Sequence, residues 1–243
     1  MGYCKQTALP SAECVSLAEM KTYLRIATSY TQEDTYITDA IQAAREMGET
    51  ISGRSLAKRT FAQVMDRFPD KGLSEAIDGS RLYDLGFFAL PWDNKTSVRH
   101  AQTLKLAYPP CISVQGITYV DANTGLNVTL NQDTDFVLDR QTDFARVLPL
   151  PGTFWPISMS TVNAITVNFT AGYDPTPTAV DTHTVSSPNP PDQQTTSTIV
   201  TGVPQKVRLA LMNLVAEWFQ NRGVDVVPEP IYQIFRSLAV YTF

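Results

Sequence analysis

The spacing of apolar residues changes twice along the chain. Between residues 16 and 54 they recur every three to four positions, from 60 to 173 they tend to alternate, and from 204 to 241 the wider spacing returns. A helical period at both ends and a strand period between them predicts helices, then sheet, then helices. Ser16 and Glu19 have capping-box spacing ahead of a short helix with Leu17, Met20 and Leu24, and Ile26 beyond them, on one face. Thr31 and Asp34 repeat the signal with Asp in place of Glu. The second helix sets Ile37, Ile41, Ala44, Met47 and Ile51 on one side, and Gly53 suits its C-terminal cap. About 20 residues at this pitch span roughly 30 Å. At the far end Pro204 suits a first helical turn. Val207, Ala210, Leu211, Leu214, Val215, Trp218 and Phe219 then form a broad stripe that Gly223 ends. Pro228 and Pro230 restart the chain before a last amphipathic helix with Ile231, Ile234, Phe235, Leu238 and Tyr241.

The middle reads as short antiparallel strands: TFAQVMDRF, TLKLAY, ISVQGITYV, LNVTL, DFVL, FARVL and VNAITVNFTAGY. In the last, Ile165, Val167, Phe169 and Ala171 face one way and Thr166, Asn168 and Thr170 the other. The alternation slips at Gly116, which predicts a β-bulge. The DANTG sequence at 121–125 predicts a hairpin loop pairing 117–120 with 126–130. Strands this short suggest a small sandwich or barrel-like sheet. Residues 70–102 show no period. Residues 174–202 are rich in Thr, Ser and Pro and contain no Lys or Arg, which leaves both disorder and an arm that orders on a partner open. The fold class expected is therefore α+β: a discontinuous helical bundle from both chain ends with an inserted antiparallel β-domain. Residues 1–57 plus 204–243 form the helical domain, 58–173 the β-domain, and 174–203 a Thr/Pro-rich loop or arm.

Composition narrows function. The 243 residues are 43% hydrophobic and only 18% charged, which leaves room for large buried or partner-covered surfaces. A net charge of −5 argues against gripping nucleic acid through phosphate neutralisation. No apolar run reaches the roughly 18 residues of a membrane span. The opening MGYCKQTALPSAEC has no apolar stretch of a signal peptide, so an origin in the cytoplasm is expected. The three cysteines, Cys4, Cys14 and Cys111, lack ligand spacing and read as reduced, packed thiols; no metal or cofactor is expected. The sequons at Asn94, Asn127 and Asn168 read as chance polar positions.

No catalytic residues can be nominated. His100 and His183 have no ligand-spaced partner, and no HExxH, GxSxG, GxGxxG or phosphate-loop motif occurs. Asp133, Asp135 and Asp139 read as a solvated strand edge. Trp155 and Trp218 read as core residues.

Six pieces in order resemble the head-tail connector (adaptor) proteins of tailed bacteriophages. They are LAEMKTYLR at 17–25, AAR at 43–45 with SGR at 52–54, ITYVD at 117–121, Trp155-Pro156, TAGY at 170–173, and VPQKVR at 203–208 running to EWFQNR at 217–222. Residues 70–102 and 174–202 depart from the family pattern as insertions. The resemblance implies a helical core from both ends and a ring of about twelve copies. It further implies a portal protein on one side, a stopper or tail-completion protein on the other, and DNA passing through the lumen. That places the chain in the virion neck, assembled in the host cytoplasm.

The acidic balance suits a lumen that lets DNA slide, so weak, salt-sensitive DNA binding is expected. The surplus apolar and aromatic surface of the tail nominates Ile231, Tyr232, Phe235, Leu238, Tyr241 and Phe243 as portal or ring interface, with Arg25, Arg54 and Arg222 as intersubunit pairs. Residues 235–243 are expected to reach the portal, and their deletion to spare the fold and abolish docking. The alternative is a β-rich carbohydrate- or surface-binding module of a virion, with Trp92, Trp155 and the tyrosines as stacking platforms. It leaves the two capped helical ends without a purpose.

Overall fold

The computed structural model describes residues 3–69, 102–174, 181–186, 194–199, 202–222 and 226–239. The architecture is α+β, with helices toward both ends and strands between them. The chain divides into two compact units: Met1–Leu9 with Thr60–Ala171, and Pro10–Arg59 with Gly172–Phe243.

In the second, helical unit, α1 (Leu17–Tyr23) starts at the expected capping box. The Ser16 hydroxyl accepts from Glu19 N–H, and the Glu19 carboxylate accepts from Ser16 N–H at 2.9 Å. Helix α2 (Asp34–Ser52) ends at Gly53, whose φ of +66° is the left-handed cap expected. Its start differs from expectation. Thr31 makes no cap; Glu33 is the N-cap residue without a side-chain bond, and Asp34 instead pairs with buried Lys21 at 2.5 Å. Lys21 also donates to the carbonyls of Thr28 and Tyr30, so the α1–α2 turn is tied down by a cation rather than by a capping hydroxyl.

Helix α3 (Gln205–Asn221) follows Pro204, which is its N-cap residue and not its first turn, and closes on left-handed Arg222. Helix α4 (Glu229–Arg236) has Pro230 in its first turn. Their buried stripes form one core with α2: Ile37, Ile41 and Ala44 from the front of the chain, Leu211, Leu214 and Trp218 from the back. The ends of the chain thus share one core.

In the first unit, β1 (Tyr3–Gln6), β2 (Arg59–Met65), β4 (Cys111–Val120), β5 (Asn127–Leu130) and β8 (Ile165–Ala171) form a sheet in the order β1-β2-β8-β4-β5. β3 (Leu104–Lys105), β6 (Phe136–Asp139) and β7 (Arg146–Pro149) form a second in the order β3-β7-β6. Both contribute to a single apolar cluster, the sandwich-like solution to strands with one apolar face each. β4 pairs with β5 from Ile117↔Leu130 to Val120↔Asn127, the expected hairpin, and its register with β8 shifts between Val114 and Gly116. Trp155 is core: it stacks on Phe68 at 4.8 Å and donates its indole N–H to the Gln102 carbonyl.

Three readings of the sequence need amendment here. β1 pairs with β2 from Tyr3↔Val64 to Gln6↔Phe61, so the opening residues belong to the β unit and not to the helical domain. Asp133 and Asp135 lie in a turn, Asp133 with φ of +68° and Asp135 accepting from Asn131 N–H, rather than on a strand face. The Thr/Pro-rich stretch carries an antiparallel two-stranded ribbon, β9 (Asp181–Ser186) with β10 (Gln194–Ile199).

Candidate assembly surface

Helix α4 was the sequence's nominee for an interface, and its residues divide. Phe235 is fully buried and Ile231 is 7% exposed, both in the helical core. Gly48 makes room for the Phe235 ring; a Cβ at Gly48 would lie 2.8 Å from it. Deleting residues 235–243 would therefore open the core as well as remove an outer surface. Leu238 is half-buried against the same core, and its carbonyl accepts from Arg54 Nε at 2.6 Å. Tyr232 alone among the described nominees of this helix is an exposed aromatic. Tyr241 and Phe243 lie outside the described residues, as do Gly223, Trp92, His100 and residues 70–101.

The nominated arginines also divide. Arg222 holds Glu33 through two bonds of 3.1 and 3.0 Å and lies over the rings of Tyr36 and Phe219. The bond from Arg222 pulls the Glu33 carboxyl below its ordinary range. Arg54 is committed to Leu238. Arg25 is exposed at a left-handed position (φ +59°) just beyond α1; its backbone N–H donates to the Thr22 carbonyl, and its side chain has no hydrogen-bond or ion-pair partner among the described residues.

Most charge in this unit works inward. Arg45, 1% exposed, is ringed by Glu13, Glu46 and Glu49 at 2.9, 3.2 and 3.0 Å. Burial opposes its charge, but Glu13 and Glu49 outweigh burial and raise its pKa. Glu49 also binds Arg59 at 2.6 Å and accepts from Leu56 N–H at 2.8 Å. Such a network fixes one arrangement of the chain at the end of α2, although the buried Arg59 Nε has no hydrogen-bond partner among the described residues.

Two outward faces remain. On α3, Gln205, Leu209, Asn213 and Gln220 are exposed, opposite the buried stripe of Val207, Leu211, Leu214 and Trp218. Leu209 is 50% exposed, and Tyr23 of α1, 42% exposed, donates its hydroxyl to Asn213 beside it. On α2, Thr35, Thr38, Asp39, Gln42, Glu46 and Thr50 are exposed opposite its buried stripe. The sequence reading passed over Tyr23 and Leu209. The available signal was their place off the apolar stripes of helices otherwise regular in pattern.

In the β unit Leu126, Ile157 and Val162 are 67%, 75% and 77% exposed. A cleft of about 170 Å³ beside Leu148 and Pro151 is below the size of ordinary ligand pockets. Among the described residues no group of His, Cys, Asp or Glu is arranged to hold a metal, and no helix is long and apolar enough to cross a membrane.

No family model and no curated protein matches the sequence. The fold is shared with solved chains. One is from the neck of the empty GTA particle computed with C6 symmetry, at TM-score 0.63 and 14% identity over 99% of this chain and 97% of that one. Another, from the virion of the native gene transfer agent (GTA) particle, gives 0.63 and 14% over 99% and 96%. A third, from the neck of the native particle computed with C12 symmetry, gives 0.59 and 14% over 99% and 97%.

Proposed function

We propose that this chain is a structural, non-catalytic subunit of the neck of a phage-like virion, a head-tail connector (adaptor) that forms a ring beneath the portal. The ring joins the DNA-filled head to the stopper or tail and lines the DNA exit channel, which DNA crosses with weak contact. The observation that supports this most is the fold shared along 99% of the chain with neck chains from particles computed with C6 and C12 symmetry. The chain layout supports it independently. Helical ends that close into one body leave the outward faces of α2 and α3 for neighbours, and exposed Tyr23 and Arg25 have the chemistry of interface hot spots.

Portal contact is assigned to Tyr232 and to residues 240–243, which follow the last helix. Removing residues 240–243 and replacing Tyr232 with Ala should leave the melting temperature unchanged and abolish co-elution of the full chain with assembled portal on size exclusion. Undiminished co-elution of that variant would contradict the assignment.

A further inference from the structure

The two outward helix faces differ in charge and lie on opposite sides of the α2–α3 pair. α2 and α3 pack directly together: Tyr36 donates to the Trp218 carbonyl at 3.0 Å and its ring meets Phe219. Each helix turns its buried stripe to the shared core, so its exposed stripe points away from the other helix. The α2 stripe of Thr35, Thr38, Asp39, Gln42, Glu46 and Thr50 has two acids and no base. The α3 side, joined by Tyr23 through its bond to Asn213, has Lys206, bonded to Ser237, and Glu217, bonded to Asn221; Arg25 follows two residues beyond Tyr23. The Asp39 side chain, like that of Arg25, has no hydrogen-bond or ion-pair partner among the described residues. Their opposite charges stand exposed and unmet within one subunit, while nearly every other charge on these helices is paired.

A patch that meets a different patch on the opposite side of an identical molecule makes a heterologous contact, and a heterologous contact that closes makes a ring. We infer that the α1/α3 face carrying Tyr23, Arg25 and Leu209 docks on the acidic α2 face of a second copy, with Arg25 against Asp39. Tyr23 and Leu209 supply the apolar contact, covered by the Thr35 and Thr38 methyl groups and the Gln42 stem. The charges fix register and exclude the like-on-like pairing of two α2 faces. This rests on the ring reading above and names the surfaces that build it.

The test is charge exchange in the full chain, with assembly followed by sedimentation velocity and particles inspected by electron microscopy. Arg25→Glu or Asp39→Arg alone should raise the concentration for half-assembly by about tenfold or more, because like charges then face each other. The double variant should return to within about threefold of the native chain, a rescue that a merely structural role would not give. Melting temperatures of all three should match the native chain, since neither residue has an internal partner to lose. Rings that form equally well in both single variants, or singles that the double does not rescue, overturn the inference and leave the ring reading standing. A native chain that forms no ring at any concentration, alone or with portal, overturns the ring reading and the inference with it.

Discussion

The two units solve the same problem by different physics. The β unit is held by register and by a dry aromatic core in which Phe68 meets Trp155 and Tyr119. Its strands lie mostly within one stretch of chain, and its buried polar residues among those described, Gln63 and Gln102, are uncharged. The helical unit must join segments that are more than a hundred residues apart, and it does so with charge. Glu19 meets Arg208, Glu33 meets Arg222, and Lys58 meets Asp174, each pair bridging the front and back of the chain. Apolar stripes supply the energy of such a join but tolerate sliding. Ion pairs and directed hydrogen bonds fix which part of one segment meets which part of the other.

The largest expected effect is at the point where the chain returns to the helical unit. Gly172 has φ of +110°, and a Cβ there would stand 2.2 Å from the Ala57 carbonyl oxygen. Gly172→Ala should cost about 4 kcal/mol or more by chemical denaturation, because both strain and backbone collision oppose it. A loss under about 1 kcal/mol would show that the two strands of this crossing part freely.

Next comes the charged centre. Glu49→Gln leaves Arg45 and Arg59 buried beside an uncharged partner and should cost about 3 kcal/mol. A loss under about 1 kcal/mol by chemical denaturation would mean that Glu49 acts by shape alone.

Much of this was legible in the sequence, and the limits are physical. The capping box at Ser16 and the Gly53 cap are local devices whose partners sit within three or four residues, so spacing reveals them. The TAGY run at 170–173 was noted as a motif, while its reason, the closeness of Ala57, is a contact across more than a hundred positions. The same limit explains Phe235. An amphipathic tail helix reads alike whether its apolar face meets this chain or a partner, and only the pocket left by Gly48 decides between them. Lys21 is the converse: its burial under the α1–α2 turn leaves no periodic trace, because a lysine in a helix is ordinarily solvated. Arg222 and Glu33 are likewise unremarkable alone and are defined by their pairing.

A smaller effect checks the local end of the scale. Ser16→Ala removes the bonds of the hydroxyl to Glu19, leaves the bond from the Ser16 backbone N–H, and should cost about 1 kcal/mol. Glu19 is held below its ordinary pKa by the Ser16 N–H first, then by the Ser16 hydroxyl and Arg208. Its contribution is therefore present above the unfolded carboxylate pKa and is lost as pH falls through the lower folded value. The part of the Ser16→Ala deficit that comes from the hydroxyl–carboxylate bond should fade over that acid window; a deficit independent of pH would assign the effect to the bond between the hydroxyl and Glu19 N–H.

The smallest effect treats both units alike. Burial pushes the thiols of Cys14 in the helical unit and Cys111 in the β unit up to about 12. Each pKa exceeds its unfolded value, so stability is fully present below the unfolded thiol pKa and declines as pH rises from about 9 toward 12. Neither thiol should react with Ellman's reagent at pH 8 until the chain unfolds. Rapid labelling of one alone would identify the unit that opens first.

The most direct measurement is electron microscopy of the purified full chain with and without assembled portal. A neck subunit should appear as a symmetric annulus with a central hole, seated coaxially on the portal. Monomers at every concentration, with no added density on the portal, would contradict the ring.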